Sequence, residues 1–381
     1  MSFAIGYIAG PFGAIFFGHI GDRKGRKVTM YASLLMMGIS TSIIGILPPA
    51  ASAGVGVVIV LQLMRLAQCF GRGGTWGGGI LMAYENVPEN KRAFYAAIPQ
   101  IGLPIGFGLS SILIAVPTLL LPEDIFFTWG WRIPFLAAII LTVIVIRQKG
   151  EMMETEDYKK AQAKLEAEEA EGKKHKVGFI PMVKGYWKTL LLGCGTRWVD
   201  GTFYNIFIVW ILSYCINWLG MPLIQTYIIT IIACIFKIPF TLFGGWCAQK
   251  LGNTRTFVIG ALASAVLSIP TLKVIELSKG NLAITIIGIV LGWSIAYNLI
   301  WAVISSLWSS YFETEVRYSG ISFVYHVPSF LVAGMVPTIC TLLINYGKGD
   351  TIYVGIYSTV VALISAACAL ALKARHDRGE K

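Results

Sequence analysis

Two apolar runs near the start of the chain, residues 3–17 and 28–47, are separated by one polar segment. It reads Gly18-His19-Ile20-Gly21-Asp22-Arg23-Lys24-Gly25-Arg26-Lys27. Four of its last five residues are cationic, and such a cluster cannot enter the core of a bilayer. We therefore expect a tight loop between two membrane-spanning helices. Because positive loops stay cytoplasmic, this loop fixes the orientation of the later spans.

Asp22 is unusual in a loop that serves only to orient helices, because acidic residues add little to orientation. Its position beside Arg23 and Arg26 favours a small ionic lock. The alternative is an ordinary positive-inside loop without such a role.

Composition assigns the chain to the polytopic membrane proteins. Of 381 residues, 56% are hydrophobic and 13% charged, about half the charged fraction of a soluble protein. Mean hydropathy is +0.69. The net charge of +11 does not predict a nucleic-acid partner, because the cations lie mostly in short loops. The seven cysteines form no CxxC pair and the four histidines share no ligand spacing, so we expect no metal, no cofactor and no enzyme activity.

A membrane span needs roughly 20 apolar residues, and the sequence predicts eleven such spans in an all-α membrane protein. They are Phe3–Ile20, Val28–Leu47, Gly56–Tyr84, Phe94–Leu120, Arg132–Ile146, Lys188–Ile216, Pro222–Gln249, Arg255–Ile275, Leu282–Ser309, Tyr318–Ile344 and Thr351–Leu372. Lysines and arginines concentrate in the loops on the side of the opening loop. This asymmetry predicts a multi-pass protein of the cell membrane with a cytoplasmic C-terminus.

A polar stretch, Glu151–Lys176, divides the chain and is too short to hold a catalytic core. We expect an N-terminal bundle of five spans at 1–147, a cytoplasmic and partly helical linker at 148–187, and a C-terminal bundle of six spans at 188–381. A faint echo of the opening loop, Gly245–Asn253, lies 227 residues further on and indicates two related halves. That repeat leaves the first half one helix short, which predicts a truncated or misassigned start, or a degenerate protein.

Several further motifs complete a family resemblance. They are Arg65-Leu-Ala-Gln68, Gly73-Gly-Thr-Trp-Gly-Gly78 with Glu85 and Arg92, Pro99–Gly106, Trp129-Gly-Trp-Arg-Ile-Pro-Phe-Leu136, Arg197-Trp-Val-Asp200, and Glu315–Gly320 leading to Tyr325. With the opening loop, they resemble the metabolite:proton symporter family of the major facilitator superfamily. The resemblance implies two pseudo-symmetric helical halves that carry shikimate, dicarboxylates, citrate, or zwitterions such as proline and betaine. The chain departs from the family in lacking the first of twelve helices, in having Thr75 where Glu is usual, and in its altered second loop.

Charges inside spans are costly and indicate function. Asp200 is the one acidic residue in the middle of a predicted span, and Arg197 lies three positions earlier on the same helix face. We expect Arg197 to bind solute and Asp200 to couple protons; a purely structural ion pair is the alternative. Arg65, Gln68 and Arg72 form a second stripe of candidate solute ligands, unless Arg65 only reaches toward water from its helix end.

Further candidates are less specific. Tyr204, Asn298 and Tyr325 are expected to line the solute pathway, and His326 is a candidate proton relay. The alternative is a packing role, which is the commoner one for aromatic residues and for a lone histidine. Lys237 lies in the middle of a span and either adds a cation to the cavity or pairs with a carbonyl. By resemblance, Glu85 and Arg92 join Asp22, Arg23 and Arg26 in a cytoplasmic gate.

An excess of interior cations predicts an anionic solute. We therefore expect a monomeric secondary transporter that moves a small anionic or zwitterionic solute through the lipid bilayer, by proton symport with alternating access. The alternative is a related protein without transport activity, such as a sensor, scaffold or remnant.

Overall fold

The computed structural model describes residues 2–49, 54–148, 154–170 and 179–380, and these ranges contain helices and no strand. The predicted all-α class is confirmed. Parts of the predicted linker, residues 149–153 and 171–178, lie outside the described residues.

Seventeen α-helices, numbered in chain order, are described. They are α1 (Ser2–Lys24), α2 (Arg26–Ile46), α3 (Val55–Glu85), α4 (Arg92–Ala97), α5 (Gly102–Leu120), α6 (Glu123–Thr128), α7 (Ile133–Arg147), α8 (Glu156–Ala170), α9 (Phe179–Asn205), α10 (Ile211–Asn217), α11 (Leu223–Leu251), α12 (Asn253–Leu277), α13 (Leu282–Ile289), α14 (Asn298–Ser309), α15 (Arg317–His326), α16 (Val336–Tyr346) and α17 (Ile352–Asp377). Short 3₁₀ turns at Glu89–Lys91, Pro99–Ile101 and Gly130–Arg132 precede α4, α5 and α7.

Ten helical stretches in the described ranges are long and apolar enough to cross a membrane, and each overlaps one predicted span; α1, which holds the eleventh predicted span, Phe3–Ile20, is not among them. The helices begin and end at residue types that are common at helix termini. Pro222 precedes α11, and Gly252, with φ of +90°, follows it. Asn281 caps α13 by accepting hydrogen bonds from the N–H groups of Ala283 and Ile284.

Three π-helical turns interrupt the spans of the second half. Ile206–Trp210 joins α9 to α10, Val290–Ala296 lies between α13 and α14, and Phe330–Gly334 lies between α15 and α16. Such turns are rare in helices and frequent at functional sites, because the additional residue changes the direction of the following side chains. The second of them carries Trp293 and leads directly to Tyr297.

The described chain divides into two compact units. Unit 1 comprises residues 1–86, 113–185 and 312–327. Within it, α3 packs on α1 and α2, α7 packs on α2, and α15 packs on α1. Glycines allow the closest of these approaches: a Cβ on Gly73 would lie 2.3 Å from the Ala14 nitrogen, so only glycine fits between α1 and α3 there.

Unit 2 comprises residues 87–112, 186–311 and 328–381. In it, α12 packs on α17 and α14, and α11 packs on α14 and on the short helix α4. Its core is rich in aromatic side chains, and Trp293, Trp301 and Trp308 are among its largest fully buried residues. The predicted bundle boundaries at 147 and 188 stay a prediction.

Candidate functional site

The Asp200 cluster consists of Arg197, Asp200 and Tyr297 and lies inside unit 2. Asp200 is only 1% exposed and Arg197 5% exposed. One Asp200 oxygen pairs with the Arg197 guanidinium, and the other accepts a hydrogen bond from the Tyr297 hydroxyl. The carboxylate therefore has a charged and a neutral donor, one on its own helix and one from the residue that precedes α14.

Lys237 lies on α11 in the same unit, with a fully buried side chain. Its Nζ is 4.4 Å from the ring centre of Trp293 and 4.3 Å from that of Tyr297, and Trp301 lies at 6.0 Å. We call these three rings the aromatic box. The Nζ also lies 3.5 Å from the Trp293 carbonyl oxygen, a long hydrogen bond. Tyr297 is thus shared, since its hydroxyl binds Asp200 and its ring faces Lys237.

Asn298 and Tyr204 have packing partners of their own. The Asn298 amide donates to the Lys237 carbonyl at 2.8 Å and accepts from the Thr241 hydroxyl at 3.2 Å, so it joins α14 to α11. Tyr204 is half-buried, with its ring 5.9 Å from that of Phe107. Their predicted role in solute binding stays a prediction.

The loop network consists of Asp22, Arg26, Glu85 and Arg317 and lies inside unit 1. All four are buried, and Arg26 is fully so. Arg26 lies 3.4 Å from an oxygen of Asp22 and 3.4 Å from one of Glu85, while Arg317 lies 2.9 Å from the other Glu85 oxygen. Two carboxylates and two guanidinium groups thus alternate, and Arg317 also pairs with Asp157 at 3.6 Å. The network connects α1, α2, α3 and α15.

Asp22 also caps α15. Its two oxygens accept hydrogen bonds from the backbone N–H groups of Tyr318 at 3.1 Å and Ser319 at 3.0 Å. These groups belong to the first turn of the helix, which has no internal acceptors for them. Burial raises the pKa of the Asp22 carboxyl to about 6, and the nearby Arg26 opposes this rise.

Residues just before α8 and in its first turn contact the loop network. Glu154 accepts the backbone N–H groups of Arg26 at 2.9 Å and Lys27 at 3.2 Å, and so supplies the first turn of α2 with acceptors. The Thr155 hydroxyl donates to Glu85 at 2.7 Å, and the Tyr158 ring lies 4.8 Å from the Arg26 guanidinium. A segment read from sequence only as a linker therefore contacts the opening loop.

Arg23 and Arg92 are the other two predicted gate residues. Arg23 is exposed, and its carbonyl oxygen accepts a hydrogen bond from the Tyr158 hydroxyl at 2.9 Å. Arg92 is half-buried and lies 3.8 Å from Glu89. Of the predicted gate residues, Arg26 contacts both Asp22 and Glu85.

The predicted stripe on α3 divides between two environments in unit 1. Arg65 donates to Gln68 at 3.0 Å, and Gln68 donates to the Thr41 hydroxyl of α2 at 2.7 Å. Arg72 is exposed.

Two further predicted residues, Tyr325 and His326, lie at the end of α15. Tyr325 stacks on Trp76, with ring centres 4.1 Å apart, and the buried His326 meets Tyr325 edge to face at 4.8 Å.

The structure therefore joins the predicted residues into separate groups and adds partners that sequence reasoning missed. Tyr297 has no sequence signal linking it to Asp200. Arg317 belongs to a quoted family motif, and that motif was the available signal for it. Among the described residues, no three His, Cys, Asp or Glu side chains are grouped to hold a metal ion.

Comparisons with known proteins agree with this architecture. The family profile described as the Major Facilitator Superfamily matches residues 1–334. The chain is 34% identical over 383 residues to the inner membrane metabolite transport protein YhjE of Escherichia coli K12, covering 99% of this chain and 84% of that protein. It is 31% identical over 379 residues to the shikimate transporter of the same strain, covering 98% and 83%.

Two more distant matches are also transporters. The proline/betaine transporter of Salmonella typhimurium is 27% identical over 379 residues, covering 99% of this chain and 75% of that protein. The solved structure of the proton:xylose symporter XylE bound to 6-bromo-6-deoxy-D-glucose has a TM-score of 0.74 at 16% identity, covering 96% and 83%, which shows the fold alone. The resemblance stated from sequence is confirmed. The chain therefore belongs to the major facilitator superfamily, as a multi-pass membrane protein of the transporter class.

Proposed function

We propose that this protein is a secondary transporter that moves a small organic acid or zwitterion across the cell membrane by proton symport with alternating access. The relatives support this solute class, because they include a shikimate transporter and a proline/betaine transporter. The observation that carries the proposal is the buried pair of Arg197 and Asp200. A buried ion pair is weak evidence for a stabilising role, since its desolvation can cost more than its attraction returns.

In this proposal Asp200 and the solute compete for Arg197. While Asp200 is ionised, its carboxylate holds the guanidinium. A proton that binds Asp200 removes the charge and releases the guanidinium, whose paired N–H groups fit a carboxylate. Solute and proton then enter together, and the proton leaves on the opposite side. The Tyr297 hydroxyl would orient the Asp200 carboxyl in both states.

The loop network would act as the latch of a cytoplasmic gate. The supporting observation is that Asp22 and Glu85 join α15 to α1 and α3 through charged contacts. Alternating access would then rock the two predicted helical bundles about a solute site. We further propose a monomer with its C-terminus on the cytoplasmic side.

The test is uptake of labelled shikimate and labelled 2-oxoglutarate into proteoliposomes that contain the full chain, with and without an inward proton gradient. We expect the gradient to drive accumulation. Arg197→Gln should lower the apparent affinity by about 100-fold, because a charge-assisted pair is lost. Arg255→Gln is the matched control, since Arg255 is exposed in the same unit. Uptake that is changed neither by the gradient nor by Arg197→Gln would contradict the proposal.

A further inference from the structure

Lys237 is a buried lysine that forms no ion pair in the described ranges, although the charge of Asp200 acts on it from beyond ion-pair distance. Its side chain is fully buried. No carboxylate oxygen in the described ranges lies within ion-pair distance of its Nζ, and its contacts are with the three rings of the aromatic box and one carbonyl. A buried charge is costly unless it is paired and hydrogen-bonded.

The surroundings of Lys237 are also short of hydrogen-bond acceptors. An ammonium group has three donors, and the single bond to the Trp293 carbonyl is long at 3.5 Å. The Trp293 indole N–H is buried and has no acceptor among the described residues. Two neighbouring side chains therefore offer donors that a carboxylate oxygen would satisfy.

The formal charges of unit 2 point to the same partner. In its described part, the buried charged residues are Arg197, Asp200 and Lys237. Arg197 and Asp200 neutralise each other, so Lys237 leaves one positive charge in excess. An anionic solute would balance this charge, whereas a zwitterion would add no net charge.

The aromatic box supplies an independent argument. Rings arranged around a cation form the type of site that binds quaternary ammonium groups. Here the ring faces of Trp293 and Tyr297 are occupied by the ammonium group of the chain itself. A solute with its own cationic group would have to displace Lys237 and would meet charge repulsion.

We propose that Lys237 makes the transporter select an anionic carboxylate solute over a zwitterion such as betaine. The ammonium group and the Trp293 N–H would bind a solute carboxylate, while Lys237 keeps the aromatic box closed to a solute cation. This inference rests on the proposed function, because it assumes that the solute reaches the interior of unit 2.

The test measures thermal stabilisation of the purified full chain in nanodiscs by shikimate, 2-oxoglutarate, citrate, proline and glycine betaine. We expect the wild-type chain to be stabilised by a carboxylate and not by either zwitterion. Lys237→Met should weaken the effective carboxylate by at least about tenfold, because a charge-assisted contact is lost. It should also abolish the preference over betaine. Lys237→Arg should keep the preference, and Lys279→Met, at an exposed lysine of unit 2, should change nothing.

A second variant covers the case in which Lys237→Met does not fold. Trp293→Phe keeps the ring but removes the N–H, and should weaken the carboxylate about threefold to tenfold without affecting the zwitterions. An unchanged affinity in Trp293→Phe and in folded Lys237→Met overturns the inference, as does a wild-type preference for a zwitterion. A wild-type chain stabilised by none of the five solutes instead contradicts the proposed function.

Discussion

Asp22 shows how one side chain combines charge, burial and helix capping. It is 3% exposed, accepts two N–H groups of α15 and faces Arg26. Burial dominates, so the pKa of this carboxyl rises from 3.8 to about 6. A group whose pKa is raised on folding binds its proton more tightly in the folded state. The free energy of unfolding therefore falls as the pH rises from 3.8 to about 6.

We predict that the wild-type chain loses thermal stability relative to Asp22→Asn as the pH rises from about 4 to about 7. The difference should reach at most about 3 kcal/mol, because Asn keeps a neutral acceptor at every pH. Unfolding of the detergent-purified proteins measures this difference, and Asp124→Asn at an exposed carboxyl is the control. A wild-type chain that gains stability relative to Asp22→Asn over this range would contradict the raised pKa.

The helices of unit 1 are joined where they begin and end. Glu85 is the last residue of α3, Arg317 the first of α15 and Arg26 the first of α2. Because Glu85 faces both arginines from a buried position, its removal would leave two guanidinium groups without their shared carboxylate. The pair of Arg92 and Glu89 lies on the surface, where Glu89 has 90% of its side chain exposed.

We therefore predict that replacing Glu by Gln destabilises the fold much more at Glu85 than at Glu89. Glu85→Gln should lower the free energy of unfolding by about 3 to 5 kcal/mol, as expected when one partner of a buried pair is lost. Glu89→Gln should change it by less than about 1 kcal/mol. Melting curves of the two variants under identical detergent and salt conditions make the comparison. Equal losses would show that Glu85 is not a structural hub of the loop network.

Sequence predicts the helices well because a span must be long and apolar, which is a local property. It also predicts the contact between Arg197 and Asp200, since three residues nearly complete one helical turn. It does not predict which arginine of the opening loop turns inward. Arg23 ends on the surface and Arg26 in the interior, where Arg26 meets Glu85 of α3 and the Thr314 carbonyl.

Contacts between distant helices lie beyond sequence reasoning of this kind. Tyr297 meets Asp200 across 97 positions, and Lys237 meets Trp293 across 56. Trp293 lies in the π-helical turn before α14 and Tyr297 directly follows that turn, which has no recognisable sequence signature here. The aromatic box could therefore be found only from the folded chain, although its lysine was visible as a charge inside a span.

The folded chain exposes many large apolar side chains and places a few charges in its interior. The buried charged residues of each unit leave one formal positive charge in excess, because Arg132 adds to the loop network in unit 1 and Lys237 adds to the Asp200 cluster in unit 2. Charged side chains in the interior of a membrane protein are costly, and they commonly mark ion and solute pathways. Family membership shows a transporter-class protein, and the selection of a carboxylate is the proposal that Lys237 carries.

The most direct measurement is the proton movement that accompanies solute entry. Proteoliposomes with a pH-sensitive dye inside, and no imposed gradient, receive shikimate or 2-oxoglutarate from outside while labelled solute is counted. We predict internal acidification in step with uptake in the wild-type chain. Asp200→Asn should abolish the acidification yet still exchange labelled for unlabelled solute, because its amide leaves Arg197 free of an ionised competitor. Solute-driven acidification that persists in Asp200→Asn would contradict the assignment of Asp200 as the proton-coupling residue.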